Sequence, residues 1–140
     1  MSARHRLFER LKRGLPLAEL EWDGPHGQRS EAGVLVAITD EADPRVLLGR
    51  RAMHLPLHPG EIAFPGGKRE PEDATPWVTA LREAWEEVAV AEELVHPLGD
   101  LSPLLTRTGF EVHPCVGRVP ARLELVADPG EFVSVFLAPL

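Results

Sequence analysis

Fourteen prolines are spread along the 140 residues of this chain. That is about twice average usage. Proline fixes φ and removes a backbone donor, so it breaks helix interiors and is confined to turns, strand edges and first helical turns. Scattered rather than clustered, these prolines predict many short elements joined by stiff turns, not a disordered proline-rich linker. No internal repeat and no shift in composition marks a boundary, and the length suits one domain, 1–140.

Composition excludes several classes of function. Fifteen basic against twenty-two acidic residues give a net charge of −7, with no basic run. Phosphate neutralisation supplies most nucleic-acid affinity, so no nucleic-acid partner is expected. The longest apolar run, Val34 to Ile38, falls far short of the roughly 20 residues that span a bilayer, so no membrane partner is expected. The start, Met1-Ser2-Ala3-Arg4-His5-Arg6, lacks the apolar core of a signal peptide. A lone cysteine, Cys115, allows no internal disulfide and suits a reducing, cytoplasmic setting. In the strand expected around Pro114 it reads as a buried, inert thiol.

Local patterns outline the order of elements. Leu7, Phe8 and Leu11 mark a short amphipathic helix over Arg4–Arg13, stopped by Gly14-Leu15-Pro16. Residues 22–30 read as a loop. Ala32–Thr39 reads as a buried strand and Val46–Leu48 as its hairpin partner, across the turn at Asp40–Pro44. A loop over Met53–Glu61 leads to a short strand at Ile62–Phe64, ended by Pro65-Gly66-Gly67. Thr75 as N-cap and Pro76 at the first helical position begin a helix that runs to about Val88. Strands are expected over Leu98–Leu105, Phe110–Val119, Arg122–Val126 and Phe132–Leu137, with turns at Thr108-Gly109 and Asp128-Pro129-Gly130. The order predicts a mixed α/β or α+β domain rather than repeated βαβ units.

The second helix carries the chemistry. At 100° per residue Val78, Leu81, Trp85 and Val88 share a face, which is expected to enter the core. Glu83, Glu86 and Glu87 lie opposite, within one turn. A solvated acidic face is the plain reading of helix geometry alone. Like charges at i,i+4 destabilise a helix, however, and no lysine relieves these. A turn rich in glycine and proline lies just upstream and can bring backbone oxygens to the same place. Hard cations take oxygen ligands, and Mg²⁺ usually combines a few carboxylates with waters and substrate phosphates. Other motifs fail on spacing: the P-loop needs glycine where Ile62 stands, and the six histidines show no HExxH pattern.

Arg82-Glu83-Ala84-Trp85-Glu86-Glu87-Val88-Ala89-Val90 resembles the second half of the Nudix hydrolase box, with Ala89 in place of the last glycine. Gly67 and Asp73 are similar to the glycine and acid that open the box. Leu47-Leu48-Gly49-Arg50-Arg51-Ala52, Gly60, Phe64-Pro65-Gly66-Gly67 and Thr79–Ala84 resemble the signature of the coenzyme A pyrophosphatase branch. Gly49 stands where that signature usually has Thr or Ser, and Pro56 where it has Arg. The resemblance covers residues 31–140, leaving 1–30 as an N-terminal helix and loop.

It implies a Nudix fold: a mixed sheet sandwiched between helices, with the box forming a loop–helix–loop. It also implies hydrolysis of a pyrophosphate in a nucleoside diphosphate derivative, dependent on Mg²⁺ or Mn²⁺. Coenzyme A or acyl-CoA would yield 3′,5′-ADP and 4′-phosphopantetheine or its acyl form. NADH or ADP-ribose are alternative substrates, and a non-catalytic nucleotide sensor is the alternative function. On this resemblance Glu83, Glu86 and Glu87 hold metal together with the Gly67 carbonyl, and Arg82 orients a box carboxylate. Asp73 holds the box loop, while Arg50, Arg51 and Lys68 meet substrate. The base stays open, with Glu111 and Glu131 as candidates. Family members usually add a helix after the last strand, whereas here the sequence closes on Ala138-Pro139-Leu140. A sheet face left uncovered would be an association site, so a homodimer is expected.

Overall fold

The structure is a computed structural model that describes residues 2–15, 21–22, 30–107 and 109–140. Most of the 22–30 loop, together with Pro16 and Thr108, lies outside the described residues. The elements are helix α1 (Ala3–Gly14), strands β1 (Glu31–Asp40), β2 (Arg45–Arg51), β3 (Ile62–Ala63) and β4 (Gly66–Lys68), and helix α2 (Pro76–Val88). A 3₁₀ turn at Glu92–Leu94 follows, then β5 (His96–Asp100), β6 (Leu104–Leu105), β7 (Glu111–Pro120) and β8 (Phe132–Pro139). Among the described residues, no helix is long and apolar enough to cross a membrane.

All these strands join one mixed sheet. β1 runs parallel to β7 along its whole length, from Glu31 opposite Glu111 to Asp40 opposite Pro120. Its other edge is shared: β2 meets it at Ile38, and β4 pairs antiparallel with Ala32, Gly33 and Val34. β8 runs antiparallel along the outer edge of β2. The continuous apolar run in β1 is explained by cover on both faces. Leu35 and Ala37 pack with Trp77, Ala80, Ala84 and Val88 of α2 and with Cys115, Val119 and Phe132. Val36 and Ile38 face the other way, against Phe8, Leu7 and Leu11 of α1 and against Leu98 and Val116. The result is a helix–sheet–helix sandwich, the architecture that the resemblance implies. α1 covers part of the sheet face opposite α2. Phe136 of β8 still keeps 37% of its surface exposed.

The structure corrects three expectations. Of the expected face Val78, Leu81, Trp85 and Val88, Val88 enters the core and Leu81 packs partly against it, but Val78 and Trp85 do not. Val78 is 43% and Trp85 59% exposed, whereas Ala80, Ala84 and Val88 are fully buried and Trp77 nearly so. Positions 77, 80, 84 and 88 have comparable helical spacing, and the small side chains of Ala80 and Ala84 let the helix lie closer to the sheet. A Cβ on Gly33 would stand 2.6 Å from the Pro76 carbonyl oxygen. Residues 122–126 form no strand. At the end of this stretch Val126 N–H donates to the Val88 carbonyl (3.1 Å), and just beyond it Asp128 N–H donates to that of Glu87 (2.8 Å). This segment thus satisfies the carbonyls that α2 leaves open at its C-terminus, instead of pairing in the sheet. The expected strand over Leu98–Leu105 is divided into β5 and β6 around Pro103, which has no N–H to give a ladder.

Gly33→Ala is expected to destabilise the fold by roughly 1–3 kcal/mol through overpacking, seen as a lower urea midpoint with an unchanged slope. Gly14→Ala, where an added Cβ meets nothing within 4 Å, serves as the near-neutral comparison.

Candidate functional site

The loop between β4 and α2 is anchored by one buried carboxylate. Asp73 is 2% exposed. It accepts hydrogen bonds from the Glu70 N–H (2.9 Å), the Thr79 hydroxyl (2.8 Å) and Arg82 Nη2 (2.9 Å). Burial alone would raise the Asp73 pKa, but these bonds outweigh it and hold the carboxyl below its ordinary value. Arg82 also donates to the Lys68 carbonyl (3.1 Å) and to Glu83 Oε1 (2.9 Å), and lies 3.4 Å from Glu86 Oε2. Burial opposes its charge, yet Asp73 and Glu83 raise its pKa above the ordinary value. One guanidinium thereby ties β4, the loop and a full turn of α2 together, which a single-point ammonium could not do.

Above that clamp the helix brings two of its three glutamates over β4. Glu83 lies against Gly67 so closely that a Cβ there would stand 2.5 Å from the Glu83 Cδ. Glu87 is 2% exposed and accepts a 3.2 Å hydrogen bond from the Gly66 N–H. Burial, then the hydrogen bond and charge of Glu83, push the Glu87 pKa up to about 9; the charge of Glu131 adds to the shift. Glu86 does not join them, since its side chain is 54% exposed and turned toward Arg82. The helix geometry of the three carboxylates was legible in the sequence. The Gly66 N–H that holds Glu87 was not, although Pro65-Gly66-Gly67 marked a close backbone approach.

A cleft of about 730 Å³ opens beside these glutamates. Arg51, Gly67, Lys68, Glu83, Phe110 and Glu131 are among its walls. Lys68 Nζ sits 5.4 Å from the centre of the Phe110 ring. Arg51 donates to the Leu57 carbonyl at 2.9 and 3.2 Å, and Arg50 to that of Gly60 at 3.1 Å. The two arginines thus shape the 53–61 loop, and only Arg51 faces the cleft. Of the two candidate bases, Glu131 borders the cleft, whereas Glu111 lies beside His113, 3.2 Å from its Nε2. Trp22 is buried against His113. Cys115 is fully buried and burial raises its pKa, in keeping with an inert thiol.

The donor set fits a hard divalent cation. Glu83 and Glu87 offer only oxygen, the preference of Mg²⁺ and Mn²⁺. Glu87 is held toward its neutral form until an opposite charge arrives, and a dication supplies that charge.

Comparison with known proteins gives the family. The NUDIX domain family matches residues 29–139. The Nudix hydrolase NudL of Yersinia pestis (strain Pestoides F) is 47% identical over 109 residues, covering 78% of this chain and 55% of that protein. NudL of Yersinia pseudotuberculosis serotype O:1b (strain IP 31758) gives the same figures. The chain therefore spans about half the length of the curated relatives it matches. A Nudix hydrolase from Alicyclobacillus acidocaldarius superposes with a TM-score of 0.67 at 22% identity, covering 81% of this chain and 80% of that one. An Ap4A hydrolase from C. elegans superposes at 0.66 with 20% identity, covering 77% and 79%. The box on α2, the sandwich around β1 and the match over residues 29–139 agree, and the chain belongs to the Nudix hydrolase family.

Proposed function

We propose that this protein hydrolyses the pyrophosphate of a nucleoside diphosphate derivative with the help of Mg²⁺ or Mn²⁺, and that its substrate is coenzyme A or an acyl-CoA. One observation carries the reading. A buried carboxylate, Glu87, is forced against Glu83 at the wall of an open cleft, so the site is short of positive charge where an anionic substrate would have to sit. Motifs along Leu47–Ala52 and Phe64–Gly67, which resemble the coenzyme A pyrophosphatase branch, support the choice of substrate. Family membership and 47% identity to NudL support the reaction class.

In this reading Glu83 and Glu87 hold the cation together with the Gly67 carbonyl, and Glu86 joins them only by turning away from Arg82. When bound, the cation neutralises the diphosphate and lowers the pKa of a coordinated water. Arg82 keeps Glu83 aimed by its 2.9 Å bond, and Asp73 keeps Arg82 in place. Lys68 and Arg51 border the cleft as counter-charges for phosphate oxygens, while Arg50 acts through the 53–61 loop. Glu131 is the better-placed base, because it lines the cleft and its charge reaches Glu87. The reading takes 1–140 as one unit working in the cytoplasm. It includes pairing of two copies through the sheet face around Phe136, checked by sedimentation.

Two tests address the site. Glu83→Gln and Glu87→Gln are each expected to lower turnover by on the order of a hundredfold or more. They should also weaken Mn²⁺ binding and leave the melting temperature unchanged or higher; full activity in either variant defeats the assignment. Products from coenzyme A, NADH and ADP-ribose identify the substrate, and binding without product favours a sensor. The second test uses pH. The Glu87 pKa rises from the ordinary 4.5 to about 9 on folding, so the unfolded chain releases this proton first. Its contribution to stability is complete below about pH 4.5 and is lost as pH rises through about 9. The metal-free protein should therefore lose stability across that window, and Glu87→Gln should flatten the decline in chemical-denaturation curves.

A further inference from the structure

We propose that Glu31, Glu111 and His113 form a second cation site, distinct from the box, that takes Zn²⁺. Parallel pairing sets Glu31 opposite Glu111, with His113 two residues further along β7. Side chains alternate along a strand, so Ala32 and Val112 face the cleft while Glu31, Glu111 and His113 share the other face. One ligand atom from each of the three lies within 4.8 Å of the others.

The arrangement leaves a buried oxygen unused. The Glu31 side chain is 1% exposed, and its Oε1 accepts a 2.8 Å bond from Arg69 Nη1. Its Oε2 is buried with no hydrogen-bond partner and lies 3.9 Å from His113 Nε2. His113 Nε2 is 3.2 Å from Glu111 Oε1, yet it too is buried and makes no hydrogen bond. The ring nitrogen thus sits between two carboxylate oxygens without a bond to either. Bonds of about 2.0–2.1 Å in a tetrahedral Zn²⁺ site set ligand atoms roughly 3.3 Å apart, so small side-chain rotations close the shell. One imidazole with two carboxylates favours Zn²⁺ over Mg²⁺, which prefers oxygen alone.

The surroundings support an added positive charge. The carboxylates of Glu31, Glu111 and Asp100 gather around His113, an acidic setting that suits a dication. Arg69 would fix the Glu31 carboxylate from outside, as outer-shell partners of metal ligands do. Trp22 stands edge-on to His113, ring centres 4.7 Å apart, and limits access of water. Such an ion would brace the first residues of β1 and β7 and, through Arg69, the segment that leaves β4.

The test uses the full chain in millimolar Mg²⁺, which keeps the box occupied by a hard cation. Zinc is added, excess is removed by gel filtration, and bound metal is counted by mass spectrometry; Co²⁺ serves as a spectroscopic probe. The wild type should retain one equivalent of zinc, melt at a higher temperature with it, and give a Co²⁺ spectrum of low coordination number. His113→Gln and Glu111→Gln should each lose that ion, with affinity reduced by at least roughly tenfold, while His113→Gln keeps its Mg²⁺-dependent activity. No zinc on the wild type, or equal zinc on folded variants, overturns the proposal. Should His113→Gln fail to fold, Glu111→Gln decides by the same measurement.

Discussion

The close approach of α2 to β1 and β4 is the constraint on which the site rests. Where the helix meets the sheet, the contacting residues are small: Gly33 beneath Pro76, Gly67 beneath Glu83, and Ala80 and Ala84 fully buried. Larger side chains at these points would lift the helix and move its carboxylates off β4. With the helix down, Glu87 loses its water and gains the Gly66 N–H and the Glu83 carboxylate as neighbours. A buried carboxylate next to another is expensive to ionise. The fold therefore creates a local demand for positive charge and meets it with a proton at Glu87 or with a bound cation.

Arg82 and Asp73 explain why this strained group does not simply open. Asp73 is ionised readily because Thr79, the Glu70 N–H and Arg82 all donate to it. Arg82, fixed from that side, donates to the Lys68 carbonyl and to Glu83 in the same plane. The well-satisfied pair on the loop side thus holds the under-satisfied pair on the cleft side. Local destabilisation of this kind persists where the surroundings over-determine it, and such places tend to be functional.

Much of this was legible in the chain itself. The i,i+4 spacing of Glu83 and Glu87, the Thr75-Pro76 start and the apolar run of β1 are local signals, and each led to the right element. What failed was the choice between two helical faces. Val78 and Trp85 carry more apolar surface than Ala80 and Ala84, so size pointed to the wrong side. The contact was decided by how near the backbones could come, which depends on Gly33, more than forty residues away in sequence. Residues 122–126 misled for a related reason. Their alternation suits a strand, but the open carbonyls at the end of α2 captured the backbone at Val126 and Asp128. Both errors are tertiary choices between locally equivalent options. The Gly66–Glu87 bond was hidden in the same way, since β4 is held in place by a strand distant in sequence.

The sheet also separates two chemistries by parity. Along β1, even-numbered Ala32 and Val34 border the cleft, while Gly33 and Leu35 lie under α2. Glu31 shares the parity of the second set, and so do Glu111 and His113 on β7, which puts these three on the far side of the same strands. A shift of one residue in the β1–β7 register would turn Glu31, or else Glu111 and His113, to the cleft face. The ten-residue parallel pairing of β1 with β7 prevents that slip. It holds Ala32 and Val112 against the space for substrate and keeps the His113 cluster out of it. The register that builds the core is therefore also what allows one small sheet to hold two groups of acidic side chains without merging them.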